Sequence, residues 1–304
     1  MIDWHFRHRE GVGSLPGVDP IAFLAICLSL PVIYLIWTDY IAFVSLGPGG
    51  TSCNFLGYLK ITFLRLFALR DPCVAAPVPA NLEPQSGYLF SLPKRTGRRP
   101  SVTGIAPHRQ TTHRGTQENF LHLSYAIRAL SLQSRGTLGL GTSCFEKHGT
   151  GLFATTPLNR TCNGEICHAH PSDGSLHMTL HPADAKLIIE NRWGERHPLA
   201  KGGWLSRFVP IGFVMVYAPR DKHELRIVMQ IIKAAAWWVG GSQALKWKEV
   251  ESEEGQVNDL VLRIADRDPR EEKEETLPVE LIQTKNSKSC KFGVADMTKV
   301  VHSG

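Results

Sequence analysis

The chain has 304 residues, 43% hydrophobic and 20% charged, with a formal net charge of +6. That composition excludes a wholly disordered chain and allows one sizeable core plus appendages. The charge is segregated: Lys94 to Arg114 holds six Lys/Arg and no acid, whereas Glu249 to Glu275 holds eleven acids against four bases, so the total says little about partners. Seven cysteines are scattered without CxxC spacing. Neither a disulfide framework nor a zinc ribbon is indicated, and mostly reduced thiols are expected.

Residues 1–20 are polar and turn-rich. Ile21 to Trp37 then runs seventeen residues without a charge and continues apolar to about residue 46, close to the minimum length for crossing a bilayer. Pro31 is tolerated in a transmembrane helix and costly in a soluble one. A signal peptide and a buried core helix compete with this single-pass anchor, but the late start and the absence of a small-residue cleavage site argue against the former. Arg7 and Arg9 precede the span and no Lys/Arg follows until Lys60, which tilts the orientation toward a cytoplasmic N-terminus. The domain would then be lumenal, in an endomembrane, with the sequon at Asn159 available.

Residues 47–87 read as a helix over Phe55 to Asp71 and a linker. The helix either lies on a membrane surface or packs on the main domain with its bases snorkelling. The linker holds Pro72, Pro77, Pro79 and Pro84, which cannot continue a helix. The globular part is expected over 88–241. Its basic stretch, Pro93 to Arg114, reads as a solvated loop leading into a strand near Ser101–Ile105. The sharper alternative is an anion clamp with Arg109 as a substrate-binding donor. Nucleic acid is not expected, because no aromatic residues are interleaved with these bases. Gln117 to Gln133 has a helical composition.

Leu138 to Phe153 alternates small and apolar residues; if it is a strand, Cys144, Glu146 and His148 share a common face. A nucleophilic Cys144 and a structural one both fit, and buried free cysteines favour the second. Glu165 to Pro171 and Ser175 to Leu180 read as a β-hairpin about Ser172-Asp173-Gly174. Alternation puts His168 and His170 on one face, and His177 with His181 on one face of the second strand. A helix from Pro182 stops near Gly194, and Trp193-Gly194-Glu195-Arg196-His197-Pro198 forms a turn that returns His197 toward the hairpin. Three readings fit this cluster. His is the commonest neutral metal ligand, though no established ligand spacing is present. A metal-free pocket needs one His as a base, one Arg to hold an anion, and Trp193 as an apolar wall, with Asp173 among the nearby carboxylates. Alternatively, the histidines are structural.

His168, His170, Asp173-Gly174-Ser175, His177 and Leu180, followed by Trp193-Gly194-Glu195-Arg196-His197-Pro198-Leu199-Ala200, make a pattern that resembles the luciferase-like domain family of fungi and bacteria. The blocks LGPGGTSCNFLGYL, RTGRRPSVTGIAPHRQ and SCFEKHG, with the apolar N-terminal segment, look like its filamentous-fungal branch. The resemblance covers about residues 21–240. It implies oxygenation of a small hydroxylated aromatic or pyrone compound by molecular oxygen, without metal or organic cofactor, through a peroxide. It also implies His168, His170, His177, Arg196 and His197 as catalytic candidates that deprotonate an enol or phenol and steady its anion, and His181 carries over least securely. Light emission is not expected, since most members occur in fungi that do not glow. The alternatives kept open are a non-catalytic member that binds a ligand or partner and a metal-dependent enzyme.

Ile211 to Tyr217 reads as a central buried strand. Asp221 and Glu224 make a capping box opening a helix to Gly240-Gly241. The expected fold is therefore α+β, an antiparallel or mixed sheet with a helical layer, preceded by a transmembrane helix. Residues 242–304 are acidic and then unpatterned, as in a disordered tail.

Overall fold

The computed structural model describes residues 20–134 and 136–245. All but the last residue of the expected polar N-terminal segment, and all but the first four residues of the expected acidic tail, lie outside the described residues. Helix α1, Pro20–Ser45, includes Pro31 and forms a unit of its own. Its stretch Phe23–Ser45 is 23 residues, long and apolar enough to cross a membrane.

The second unit is an α+β fold around a six-stranded sheet. Its strands are β3 (Leu138–Thr142), β4 (Thr150–Ala154), β5 (Glu165–Ala169), β6 (Leu176–Thr179), β7 (Gly194–Arg196) and β8 (Phe213–Val216). They lie in the order β3-β4-β5-β6-β8-β7, and every pairing is antiparallel. One face carries Leu152, Cys167, Leu176, Met178, Val214 and Val216 into the core. Helices α3 (Gln117–Gln133) and α5 (Lys222–Gly240) supply the helical layer over it. In α5, Val228, Ile231, Ile232 and Ala235 recur at helical spacing and are fully buried. The expected cap forms, with Asp221 Oδ1 accepting from Glu224 N–H at 2.8 Å. The Glu224 carboxylate reaches back one residue further than a capping box requires, to Arg220 N–H at 2.9 Å.

The other sheet face presents polar side chains. It is covered by the two-stranded ribbon of β1 (Val102–Gly104) and β2 (His108–Gln110), and by the turn Ser143–Gly149. Here two expectations are corrected. The basic stretch is not wholly solvated: Arg95 is buried against Glu224 at 2.8 Å, and Arg99 donates to the carbonyls of Gly194 and Ile189 at 2.8 and 2.6 Å. Only Lys94, Arg98 and Arg114 of its six bases are exposed. Nor do residues 138–153 form one strand. The chain reverses at 143–149 because the buried Glu165 carboxylate collects Ser143 Oγ–H at 2.7 Å, Cys144 N–H at 2.7 Å and Phe145 N–H at 3.3 Å. Cys144 is joined to Cys162 in a disulfide, which removes its nucleophilic reading, while Cys27, Cys53, Cys73 and Cys167 are free.

Helix α2, Phe55–Arg65, buries Gly57, Tyr58, Ile61 and Leu64 and exposes Phe55, Leu56 and Leu59 on its other side. The proline-rich segment forms no helix, yet it is tied down. Pro72 C=O accepts from Arg196 N–H at 3.0 Å, and Asp184 accepts the N–H groups of Tyr88 and Leu89 at 2.9 and 2.8 Å. Asp184 lies in the first turn of α4, Pro182–Glu190. After α5, Ser242–Leu245 makes a short 3-10 turn whose Ala244 joins the core.

Candidate active site

The hairpin of β5 and β6 builds the site. Cross-strand partners in an antiparallel pair share a face. His168 lies opposite His177, and His177 opposite Met215. Their neighbours Cys167, Met178 and Val214 point to the helical core, so the imidazoles point the other way. At the turn, Gly174 adopts φ +76, and a Cβ there would stand 3.3 Å from both Ala218 Cβ and Gly115 Cα, so glycine is required twice over. The ribbon adds His108 from β2, stacked on His177 with ring centroids 5.2 Å apart. His197, just past β7, closes the group at 5.1 Å from His108 and 5.6 Å from His177. All five rings are buried.

Each ring is oriented by a second group. His168 Nδ1 lies 2.6 Å from Glu165 Oε1. His170 Nδ1 lies 2.9 Å from Ser175 Oγ, which in turn donates to Asp173 Oδ1 at 2.6 Å. His177 Nε2 faces His108 Nδ1 at 3.0 Å, and His177 Nδ1 faces His168 Nε2 at 3.3 Å. His197 donates Nε2–H to Ile105 C=O at 3.0 Å and accepts Leu199 N–H on Nδ1 at 3.2 Å. Glu146 enters from the 143–149 turn, with Oε1 3.7 Å from His170 Nε2 and 3.9 Å from His168 Nε2. The Arg109 guanidinium grips both of its oxygens, at 3.1 and 2.5 Å.

Burial lowers the His170 pKa to about 4, with Asp173 opposing the drop and Arg109 adding to it. Burial and then the neighbouring His108 bring His197 to about 3. His177 is held well below the ordinary value by burial and by the adjoining His170. These three imidazoles are neutral at pH 7 and carry free or shared lone pairs. Burial alone would raise the Glu146 pKa, but the hydrogen bonds and charge of Arg109 together with the adjoining His170 and His168 outweigh it, so the net shift is downward. Among the described residues, two groups have ligand atoms close enough to hold a metal: Glu146, His168, His170 and His177, and separately His108, His177 and His197.

The cluster opens into an apolar cleft of about 740 Å³, counted with its open mouth, walled by Ile105, Phe145, Leu199, Phe208, Val209 and Phe213. His177, His197 and Glu146 form part of its lining. Phe145 and Phe213 stack at 4.5 Å, and Phe213 stacks on His177 at 5.3 Å.

The sequence-based candidates divide. His168, His170, His177 and His197 come together. Arg196 does not: it pairs with Val214, whose side chain is in the core, so it lies on the opposite face and its Nη2 donates to Ala200 C=O. Trp193 is no pocket wall, being packed in the core with its indole N–H on Pro93 C=O at 2.6 Å. Arg109 does clamp an anion, but the anion is Glu146. Asp173 is filled by Ser175 and by Gln110 N–H at 3.0 Å, which makes it a support. His181 caps α4 and bonds Pro84 C=O, away from the cluster.

The Luciferase domain family matches residues 163–235. A luciferase of Neonothopanus nambi is 32% identical over 245 residues, covering 73% of this chain and 87% of the relative. The chain belongs to the luciferase-like domain family. Luciferases of Armillaria gallica and Armillaria mellea are each 30% identical, covering 77% of this chain and 94% and 95% of their own lengths. No solved structure matches the chain significantly. The matched family domain contains the hairpin histidines and His197, whereas His108 and Glu146 lie before it. Sequence reasoning placed Glu146 on a strand face and passed over His108 within a run of bases. The available signal was the unusual pairing of each with a neighbouring Arg or His inside the two blocks RTGRRPSVTGIAPHRQ and SCFEKHG.

Proposed function

We propose that the protein is a membrane-anchored oxygenase of small hydroxylated aromatic or pyrone compounds, with molecular oxygen as co-substrate. The observation that carries this reading is the opening of buried, neutral imidazoles into an aromatic-walled cleft that reaches solvent. A planar ring would pack against the stacked Phe145–Phe213 pair, with its acidic hydroxyl toward His177. There the cluster takes the enol or phenol proton, and the apolar walls strengthen the field acting on the resulting anion. The electron-rich carbon then forms a bond to oxygen, and the proton returns to the peroxide, so that substrate and oxygen combine as a hydroperoxide. The curated relatives are luciferases, but light emission is not part of this proposal.

Helix α1 is proposed as the single-pass anchor. An apolar helix of its length, exposed along most of one span, suits a bilayer better than water. The Cys144–Cys162 disulfide favours an oxidising, lumenal side for the domain, in agreement with the orientation read from Arg7 and Arg9. The test is oxygen consumption by the full chain in detergent with a panel of hydroxy-pyrones and phenols. Wild type should consume oxygen with at least one member, and Phe213→Ala should raise KM. No substrate-dependent uptake by wild type, across the panel, overturns the reading.

A further inference from the structure

We propose that Glu146, His168, His170 and His177 hold a divalent first-row transition-metal ion. This goes beyond the oxygenase reading and stands without it.

The argument begins with where protons can sit. Ser175 Oγ–H is committed to Asp173 Oδ1 at 2.6 Å, so the same oxygen accepts from His170 Nδ1–H at 2.9 Å. His170 Nε2 is then a bare lone pair. It is fully buried, has no hydrogen-bond partner, and faces Glu146 Oε1 at 3.7 Å. That oxygen is also an acceptor. Two buried acceptors facing one another repel unless a cation lies between them.

The same holds next door. His168 Nδ1–H is given to Glu165 at 2.6 Å, so His168 Nε2 is bare, 3.9 Å from Glu146 Oε1 and 3.3 Å from His177 Nδ1. A proton shared between His168 and His177 would satisfy that one contact. It would leave His170 Nε2 without a partner, still facing the Glu146 carboxylate.

One metal ion satisfies all four. Donors about 2.1 Å from a tetrahedral ion stand roughly 3.4 Å apart; three of the six separations here are 3.3, 3.7 and 3.9 Å, and all four ligand atoms lie within 4.8 Å of one another. The spare nitrogen of each imidazole is already supported, by Glu165, by Ser175 with Asp173, and by His108. That is the outer-shell pattern of metal-bound histidine, which fixes the tautomer and strengthens the donor. The rival trio of His108, His177 and His197 lacks this, since His197 spends its lone pair on Leu199 N–H and its proton on Ile105 C=O. Three nitrogens and one oxygen select a transition cation over magnesium or calcium, which prefer oxygen alone. Glu146 and His177 also line the cleft, so the ion would sit at its floor.

The full chain, purified in detergent without added chelator, should carry close to one equivalent of a divalent transition metal by elemental analysis. After stripping with EDTA, Co²⁺ titrated back should give visible d–d bands. His170→Gln, which keeps volume and polarity, should lose both while retaining a cooperative melt. His223→Gln, on the exposed side of α5, should lose neither. Wild type that is metal-free and gives no Co²⁺ bands overturns the proposal, and so does a folded His170→Gln with wild-type metal content. Metal retention with no oxygen uptake on any substrate would leave this site standing and remove the oxygenase reading instead.

Discussion

Glu165 shows how much one buried carboxylate can organise. It accepts from His168 on one side and from Ser143, Cys144 and Phe145 on the other, so it orients an imidazole and shapes the turn that delivers Glu146. Glu165→Gln keeps the shape but replaces one acceptor oxygen with a donor. It should destabilise the fold by about 3 kcal/mol, the scale of lost bonds to a charged group, measured as a lower urea midpoint. Glu224 makes a second residue-scale prediction. Burial alone would raise its pKa, but hydrogen bonds from Arg95 and Arg220 outweigh that and bring it from 4.5 to about 2. Its folded-state pKa is depressed, so its contribution is fully present above pH 4.5 and is lost as pH falls toward 2. The urea midpoints of wild type and Glu224→Gln should therefore differ at pH 7 and converge as pH falls toward about 2. Spacing alone could not reveal the role of either carboxylate, because each has a partner far along the chain: Ser143 is 22 residues from Glu165, and Arg95 is 129 residues from Glu224.

The elements divide by how local their causes are. α3 spans the stretch whose composition reads as helical, and α5 opens at the expected Asp221 cap, since periodicity and capping act within a few residues. The β5–β6 hairpin was likewise legible from its turn residues and alternation. The 143–149 turn was not, because what bends it is a carboxylate on another strand. The Cys144–Cys162 disulfide closes this turn against the following loop, over a sequence separation of 18. Replacing both cysteines with serine should cost about 3 kcal/mol by loop-closure entropy, and a melt of wild type in reductant should show a drop of similar size. If the two cysteines are reduced in the native protein, reductant will leave the melt unchanged.

At the scale of the whole molecule, the proposed anchor predicts that the full chain stays with membranes through carbonate extraction. Release into the supernatant would count against α1 as a span. The apolar run was readable without any structure, because a helix in a bilayer satisfies its own backbone and needs only length and hydrophobicity. The fold class, the helical layer, the hairpin and the family followed from local pattern and motif. The membership of the site did not. His168, His170, His177 and His197 were visible as a cluster, but which face each side chain takes depends on strand register, which placed Arg196 among core residues, while the packing of the β1–β2 ribbon and the 143–149 turn brought in His108 and Glu146. Charge in the sequence reads as solvated until a partner is known. Only the tertiary structure shows Arg95 and Arg109 buried against carboxylates, because the attraction that offsets their desolvation comes from residues distant in the chain.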